Sequence, residues 1–215
     1  MAATHPEATA APVGRAPTTP PLRAGVLAFA GLLFVAYPAL RPYSDETTLA
    51  GAAAMGSTRW VVSHVLGVLA FVLLAAGLRQ VASVRSAAVT AAGVALVLPY
   101  YGAEAFGVQV IARRALATGD PSLLALVEEL RMGPIAVATF GAGLVLLAVG
   151  GVLTARAVRR TGTLARLGGL LSATGLVLYA PQYLAPGALR TAHGVVLGAG
   201  LLLLALAGRR GATDR

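Results

Sequence analysis

Six uninterrupted apolar runs, at about 24–40, 60–78, 86–111, 133–155, 165–186 and 191–208, set the terms for any fold of this chain. A bilayer core of roughly 30 Å requires about 20 apolar residues of helix to cross it. In lipid the backbone must satisfy its own hydrogen bonds, which leaves helices or a closed barrel. A barrel would show alternating polar and apolar residues, and these runs do not alternate. The expected fold class is therefore all-α, a polytopic transmembrane helical bundle of about six helices. Composition agrees: 57% of residues are hydrophobic, 12% are charged, and mean hydropathy is +0.79.

Residues 1–22, rich in Ala, Pro and Thr, have no apolar periodicity and are read as a disordered tail. Their length, prolines and low charge disfavour a signal peptide. Residues 23–208 form the six-helix transmembrane domain, and 209–215 a basic cytoplasmic tail. Pro99 and Gly102 predict a kink or partial unwinding in the third run, and Pro181 and Pro186 an early stop in the fifth. Gly141, Gly143, Gly150, Gly151, Gly194 and Gly198 are read as close packing within one bundle rather than as a dimer motif.

The net charge of +9 arises from 17 arginines and no lysine, a composition typical of a GC-rich genome. The arginines stand in short loops beside apolar runs, so they report topology and not a nucleic-acid footprint. Eleven lie on the side that holds both termini and six on the other, where Asp45, Glu46, Asp120, Glu128 and Glu129 also fall. That bias predicts a plasma-membrane protein with both termini cytoplasmic. The chain has no cysteine, which removes disulfides, thiol nucleophiles and thiolate ligands.

Once this topology is drawn, the polar and aromatic residues gather in the outer half. They are Tyr37, Tyr43, Asp45 and Glu46 around the end of the first run, Trp60 and His64 in the second, and Tyr100, Tyr101, Glu104 and Gln109 in the third. Arg131 opens the fourth, while Tyr179, Gln182 and Tyr183, then Arg190 and His193, come from the last two. An aromatic belt would occupy both interfaces, so a one-sided cluster predicts a cavity. Glu104 is the sharpest of these residues, because an acid at the centre of a membrane helix costs about 2.5 to 3.5 kcal/mol. It needs either a proton or a cation, and Arg131 and Arg190 are the candidate partners. Helical spacing places Tyr100 and Tyr101 on its side of the helix.

Asp45 and Glu46 form either a solvated turn or a lid folded over the cavity. Glu128 and Glu129, with Arg113, Arg114 and Arg131, flank a short amphipathic segment and are assigned no chemistry. His64 and His193 fall at similar depth and suit either hydrogen bonds across the bundle or axial ligation of a haem. No metal site and no cofactor are expected, and phosphate-loop, zinc-protease, serine-hydrolase and aspartate-rich diphosphate motifs are absent.

At Tyr100-Tyr101-Gly102-Ala103-Glu104-Ala105-Phe106, and at Arg41-Pro42-Tyr43-Ser44-Asp45-Glu46 followed by Trp60 and His64, the chain resembles small actinobacterial multi-pass proteins. These are similar in size and isolated membrane acids to the integral membrane terpene cyclases of indole sesquiterpenoid pathways of the drimentine and xiamycin type. The better-known fungal relatives have about seven spans and two acids, and the six expected here depart from that pattern. The resemblance implies a metal-independent cyclase, an isomerase or lyase of secondary metabolism, acting on a prenylated or polyprenyl substrate that enters from lipid. Protonation by Glu104 would start a carbocation cyclisation. Asp45 or Glu46 would act as a second acid and His64 as the final proton acceptor. Trp60, Tyr100, Tyr101, Tyr179, Gln182 and His193 would line the substrate site. Two alternatives stay open: a small transporter or immunity protein with a buried acid, and a haem or quinone redox subunit using His64 and His193. Oligomeric state is not readable.

Overall fold

The computed structural model describes residues 20–213, with side chains described from Ala24 to Arg209. All regular structure among the described residues is helical. In chain order it comprises α1 (Pro20–Leu40), α2 (Leu49–Met55), α3 (Thr58–Val81), α4 (Val84–Gly102), α5 (Val108–Thr118), α6 (Ala125–Met132), α7 (Pro134–Val158), α8 (Thr163–Val177) and α9 (Gly187–Thr213). A π-helical turn, Ala103–Gly107, joins α4 to α5, and 3-10 turns at Pro121–Leu124 and Pro181–Leu184 precede α6 and α9. Helix starts follow local chemistry. Thr48, Ser57 and Ser83 each accept a backbone N–H two or three residues into the helix they cap. Pro134 opens α7, where its missing N–H costs nothing.

Four helical stretches are long and apolar enough to cross a membrane: Thr58–Val81, the continuous Val84–Thr118, Pro134–Val158 and Gly187–Arg209. The apolar helices Ala24–Leu40 and Thr163–Val177 are shorter. The run expected at 165–186 ends as α-helix at Val177, because the chain then turns through Pro181 and Pro186. α1 starts at Pro20, inside the segment read as a tail; residues 1–19 lie outside the described ones. α9 runs through most of the expected basic tail to Thr213.

The six longer elements close into a ring. α1 packs on α3, α3 on α4, α4 on α7, α7 on α8, α8 on α9 and α9 back on α1. α1 and α9 run antiparallel, with Gly31 against Gly198, Phe34 against Gly194 and Tyr43 against Gly187. Where two helices cannot use the hydrophobic effect against each other, small residues that let backbones approach supply the packing. A Cβ added to Gly31 would stand 2.8 Å from the Gly198 carbonyl oxygen, and one on Gly198 would stand 2.7 Å from that of Gly31. Gly93 and Gly143 form the matching pair between α4 and α7, at 2.9 Å in both directions. Gly150, Gly151 and Gly194 also face neighbouring helices of the chain, whereas Gly141 has open space around it.

The ring is filled with side chains. Phe34, Phe71, Tyr101 and Tyr179 meet edge-on or tilted at 5.1 to 6.1 Å between centroids, arrangements that suit the ring quadrupole. At the end where α3, α7 and α9 begin, α5 continues beyond the ring and packs with α2 and the Pro121–Leu124 turn. Ala52, Met55, Trp60, Val108, Ala112, Ala115, Leu124 and Val127 form a second, smaller core there. This capped end carries the candidate site.

Candidate functional site

Pro99 has no N–H to donate, and four residues later the helix widens rather than breaks. The N–H of Val108 bonds the carbonyl of Ala103 across the π turn, and the chain continues as helix. The kink or partial unwinding expected in the third run takes the form of this widened turn. The widened turn leaves the Glu104 carbonyl available to a side chain, and the Trp60 Nε1–H donates to it at 2.7 Å. Trp60 is fully buried, so Glu104 is anchored to the start of α3 through its backbone.

The Glu104 carboxylate is 8% exposed and is met by Arg131 from the last turn of α6. Arg131 Nε lies 2.6 Å from Oε1 and Nη2 2.9 Å from Oε2, a bidentate fork. Its remaining nitrogen, Nη1, reaches Glu46 Oε2 at 2.6 Å, and Glu46 Oε1 accepts from Arg41 Nη2 at 2.8 Å. The charges alternate along Arg41, Glu46, Arg131 and Glu104 and sum to zero. Arg41 follows the C-terminus of α1, where the helix dipole favours a cation, and its guanidinium lies 4.5 Å from the Trp60 ring centre and 5.0 Å from that of Tyr43.

Arg131 separates two hollows. One, of about 280 Å³, lies between α4 with its π turn, α6 and α7. Tyr100, Glu104, Arg131, Ile135 and Thr139 are among its walls. Ile135 is 80% exposed at its rim, so the mouth is apolar. Tyr100 stacks on Phe140 at 4.0 Å, which fixes its ring in the wall. The other, of about 410 Å³, lies beneath the 46–47 linker and is lined by Glu46, Ser122 and Glu128 among others.

The structure divides the predicted cluster in two. Glu104, Glu46 and Trp60 belong to the charged network, with Tyr100 beside it in the smaller hollow. His64, one turn further along α3, has its ring tilted against Trp60 at 4.4 Å between centroids, and its Nδ1 is 2.8 Å from the Trp60 carbonyl; that ring nitrogen therefore carries the hydrogen. Tyr101, expected beside Glu104, turns instead into the ring core. Its hydroxyl bonds those of Tyr179 at 2.8 Å and Tyr183 at 2.9 Å. His193 joins this second group, its ring 5.2 Å from Tyr179 and its Nε2 2.7 Å from the Gly175 carbonyl. Gln182 lies in the adjacent 3-10 turn, part-buried. The rings of Tyr37, Tyr101 and Tyr179 occupy the space between the two histidines, so these residues do not suit a porphyrin held between them. No group of three or more potential metal ligands occurs among the described residues.

Asp45 and its neighbour Glu46 have opposite fates. The exposed Asp45 carboxylate accepts from the Thr47 N–H and hydroxyl at 3.0 and 2.7 Å, which makes it a turn residue, while Glu46 folds inward. Asp45 therefore follows the solvated-turn reading, and Glu46 is a member of the charged network. Arg131, read both as a partner for Glu104 and as part of a surface segment, is the centre of the network. Arg190, the other candidate partner, donates instead to the carbonyls of Ala185 at 2.8 Å and Tyr183 at 2.5 Å. Sequence reasoning missed Arg41; its place directly after an apolar run and before Glu46 was the available signal.

Burial alone would raise the Glu46 carboxyl, but Arg131 and Arg41 together outweigh it and hold the group below its usual value of 4.5. A depressed carboxylate contributes stability that is present above the unfolded value and lost as pH falls through the folded one. Thermal midpoints of the detergent-solubilised protein are therefore expected to fall with acidification below pH 4.5, and to fall less for Glu46→Gln. Equal acid sensitivity of the two proteins would remove Glu46 from the account.

What fold and site together define is a helical bundle with membrane-length apolar helices and a buried, charge-balanced network at one end. No protein-family model matches this chain, and neither a curated protein nor a solved structure matches it.

Proposed function

We propose that this is a six-span plasma-membrane protein with both termini cytoplasmic, which takes a lipophilic molecule into the hollow between α4, α6 and α7 and acts on it through Glu104. One observation carries the reading: a cavity of about 280 Å³ has an apolar mouth at Ile135 and the Glu104–Arg131 pair in its wall. A molecule entering from lipid would bury its chain against Leu130, Ile135 and Ala136 and present its polar or reactive end to the pair. The six-span count is supported by the closed ring, in which the two shorter apolar helices occupy positions equivalent to the four long ones.

The cyclase chemistry is the specific form of this proposal. Glu104 paired with Arg131 is a carboxylate, so a protonating role requires Arg131 to swing fully onto Glu46, which it already contacts, and Glu104 to take up a proton. That proton would add to an alkene carbon or an epoxide oxygen of the substrate. The π pair of a second alkene then closes the ring, and loss of a proton from the cyclic cation restores neutrality. Tyr100 offers a ring face in the cavity wall, whereas Trp60, Tyr101 and Tyr179 stand outside it, so cation stabilisation falls to fewer aromatics than the sequence predicts. With purified protein and a farnesylated acceptor, Glu104→Gln and Glu104→Ala are expected to lower cyclised product, read by mass spectrometry, by about 100-fold or more. Full activity in both would refute the acid assignment. Ile135→Trp, which fills the mouth, is expected to raise KM rather than lower kcat.

A second reading is favoured by the position of Arg131 between two hollows. In a carrier, release of Arg131 from one carboxylate would join the lipid-side and linker-side spaces. Proton-driven flux in proteoliposomes that is lost in Arg131→Gln, with no cyclised product from the wild type, would select it.

A further inference from the structure

A third hollow, of about 550 Å³ and more open than the others, lies on the opposite side of Arg41, where the end of α1 meets the starts of α3 and α9. Arg41, Tyr43, Arg59, Gly187 and Thr191 are among its walls. Arg190 approaches from behind Tyr43, with its guanidinium carbon 5.7 Å from that ring's centre.

The charges here do not balance as they do at Arg131. Of the three arginines, Arg41 alone has a carboxylate partner among the described residues. Arg59 and Arg190 are held by backbone instead. Arg59 Nε donates to the Leu40 carbonyl at 2.5 Å and its Nη2 to that of Ala39 at 3.5 Å, while Arg190 caps the Pro181–Leu184 turn through Tyr183 and Ala185. Each guanidinium is fixed by part of its fork and keeps an Nη1 that these bonds do not use. An incompletely used guanidinium fork in the wall of an open hollow, with a second one behind Tyr43, suits a tetrahedral oxyanion. The hollow also lies between helix ends rather than along the length of the bundle, which suits a head group rather than an acyl chain.

We infer that this hollow binds the phosphate group of an anionic amphiphile, with Arg59 as the principal contact and Thr191 at its edge. The site is separate from the cavity at Glu104 and does not rest on the function proposed for it.

The test uses the full chain in detergent, titrated with phosphatidylglycerol or phosphatidylcholine and read by native mass spectrometry. The wild type is expected to retain phosphatidylglycerol about tenfold more strongly than phosphatidylcholine, and Arg59→Gln to lose most of that preference, as removal of one charge-assisted contact implies. Millimolar inorganic phosphate that competes for the site would show that the phosphate is read whatever its source, and failure to compete would mark the lipid as the source; both outcomes support the site. Equal retention of the two lipids by the wild type, or an unchanged preference in Arg59→Gln, overturns it. Should Arg59→Gln melt early, Thr191→Leu, which narrows the hollow without touching an arginine, takes its place with the same expected loss, and an unchanged preference there is equally fatal.

Discussion

Arg131→Met is expected to lower the thermal midpoint of the protein more than any other single substitution in the charged network. It leaves Glu104, almost fully buried, without the bidentate partner that neutralises it, and it removes one of the two arginines on Glu46. Breaking a buried pair by deleting one member costs about 3 to 5 kcal/mol, whereas replacing both members by apolar or neutral groups is often close to neutral. The double variant Glu104→Gln, Arg131→Met is therefore expected to recover most of the loss. The comparison needs circular dichroism melts of four proteins in one detergent. If the single and double variants melt together, the pair contributes no coupling, and the network does not hold this end of the bundle together.

Gly198→Leu is expected to have an effect of similar size for a different reason. The obstructing atom is a backbone carbonyl oxygen on α1, with Val35 Cγ2 at 2.8 Å beside it, so no side chain can rotate to make room and the two helices must separate. Overpacking costs about 1 to 3 kcal/mol where side chains can adjust, and more where they cannot. The expectation is about 3 kcal/mol or failure to accumulate as folded, monodisperse protein. Gly141→Leu is the control, since nothing lies within 4 Å of a Cβ there, and it is expected to stay within about 0.5 kcal/mol of the wild type. Similar yields and melts for both leucine variants would mean that the α1–α9 contact is loose.

Much of the fold was legible because lipid imposes a length and a composition that any crossing helix must meet. α3, α7 and α9 lie within a few residues of the runs that announced them. α2 and the Pro121–Leu124 turn were not legible: pieces of seven residues or fewer show no periodicity above noise and exist here because they pack on α5. Pro99 did mark a disturbance in α4, but whether a proline kinks, breaks or widens a helix depends on neighbours that can take up the freed backbone groups. Here the helix widens just past the proline, and the Glu104 carbonyl in the widened turn is taken by Trp60, forty-four residues earlier in the chain.

The site was half legible for a comparable reason. A carboxylate inside an apolar run stands out by its cost alone, so Glu104 could be singled out and the need for a compensating cation stated. Which arginine supplies it depended on where α6 ends relative to the π turn, and Arg190 was claimed first by the carbonyls of its own turn. Tyr100 and Tyr101 show the limit of spacing arguments. Adjacent residues of a regular helix stand about 100° apart around its axis, so one ring went to a cavity wall and the other to the bundle core.

The position of Trp60 gives the protein a built-in optical reporter. The chain has a single tryptophan, so all of its indole emission originates beneath the Arg41 guanidinium and one hydrogen bond from the backbone of Glu104. Unlabelled protein thus signals at the place where ligands, protons and substitutions are expected to act, and a spectral change on adding a candidate substrate would be local to that place from the outset.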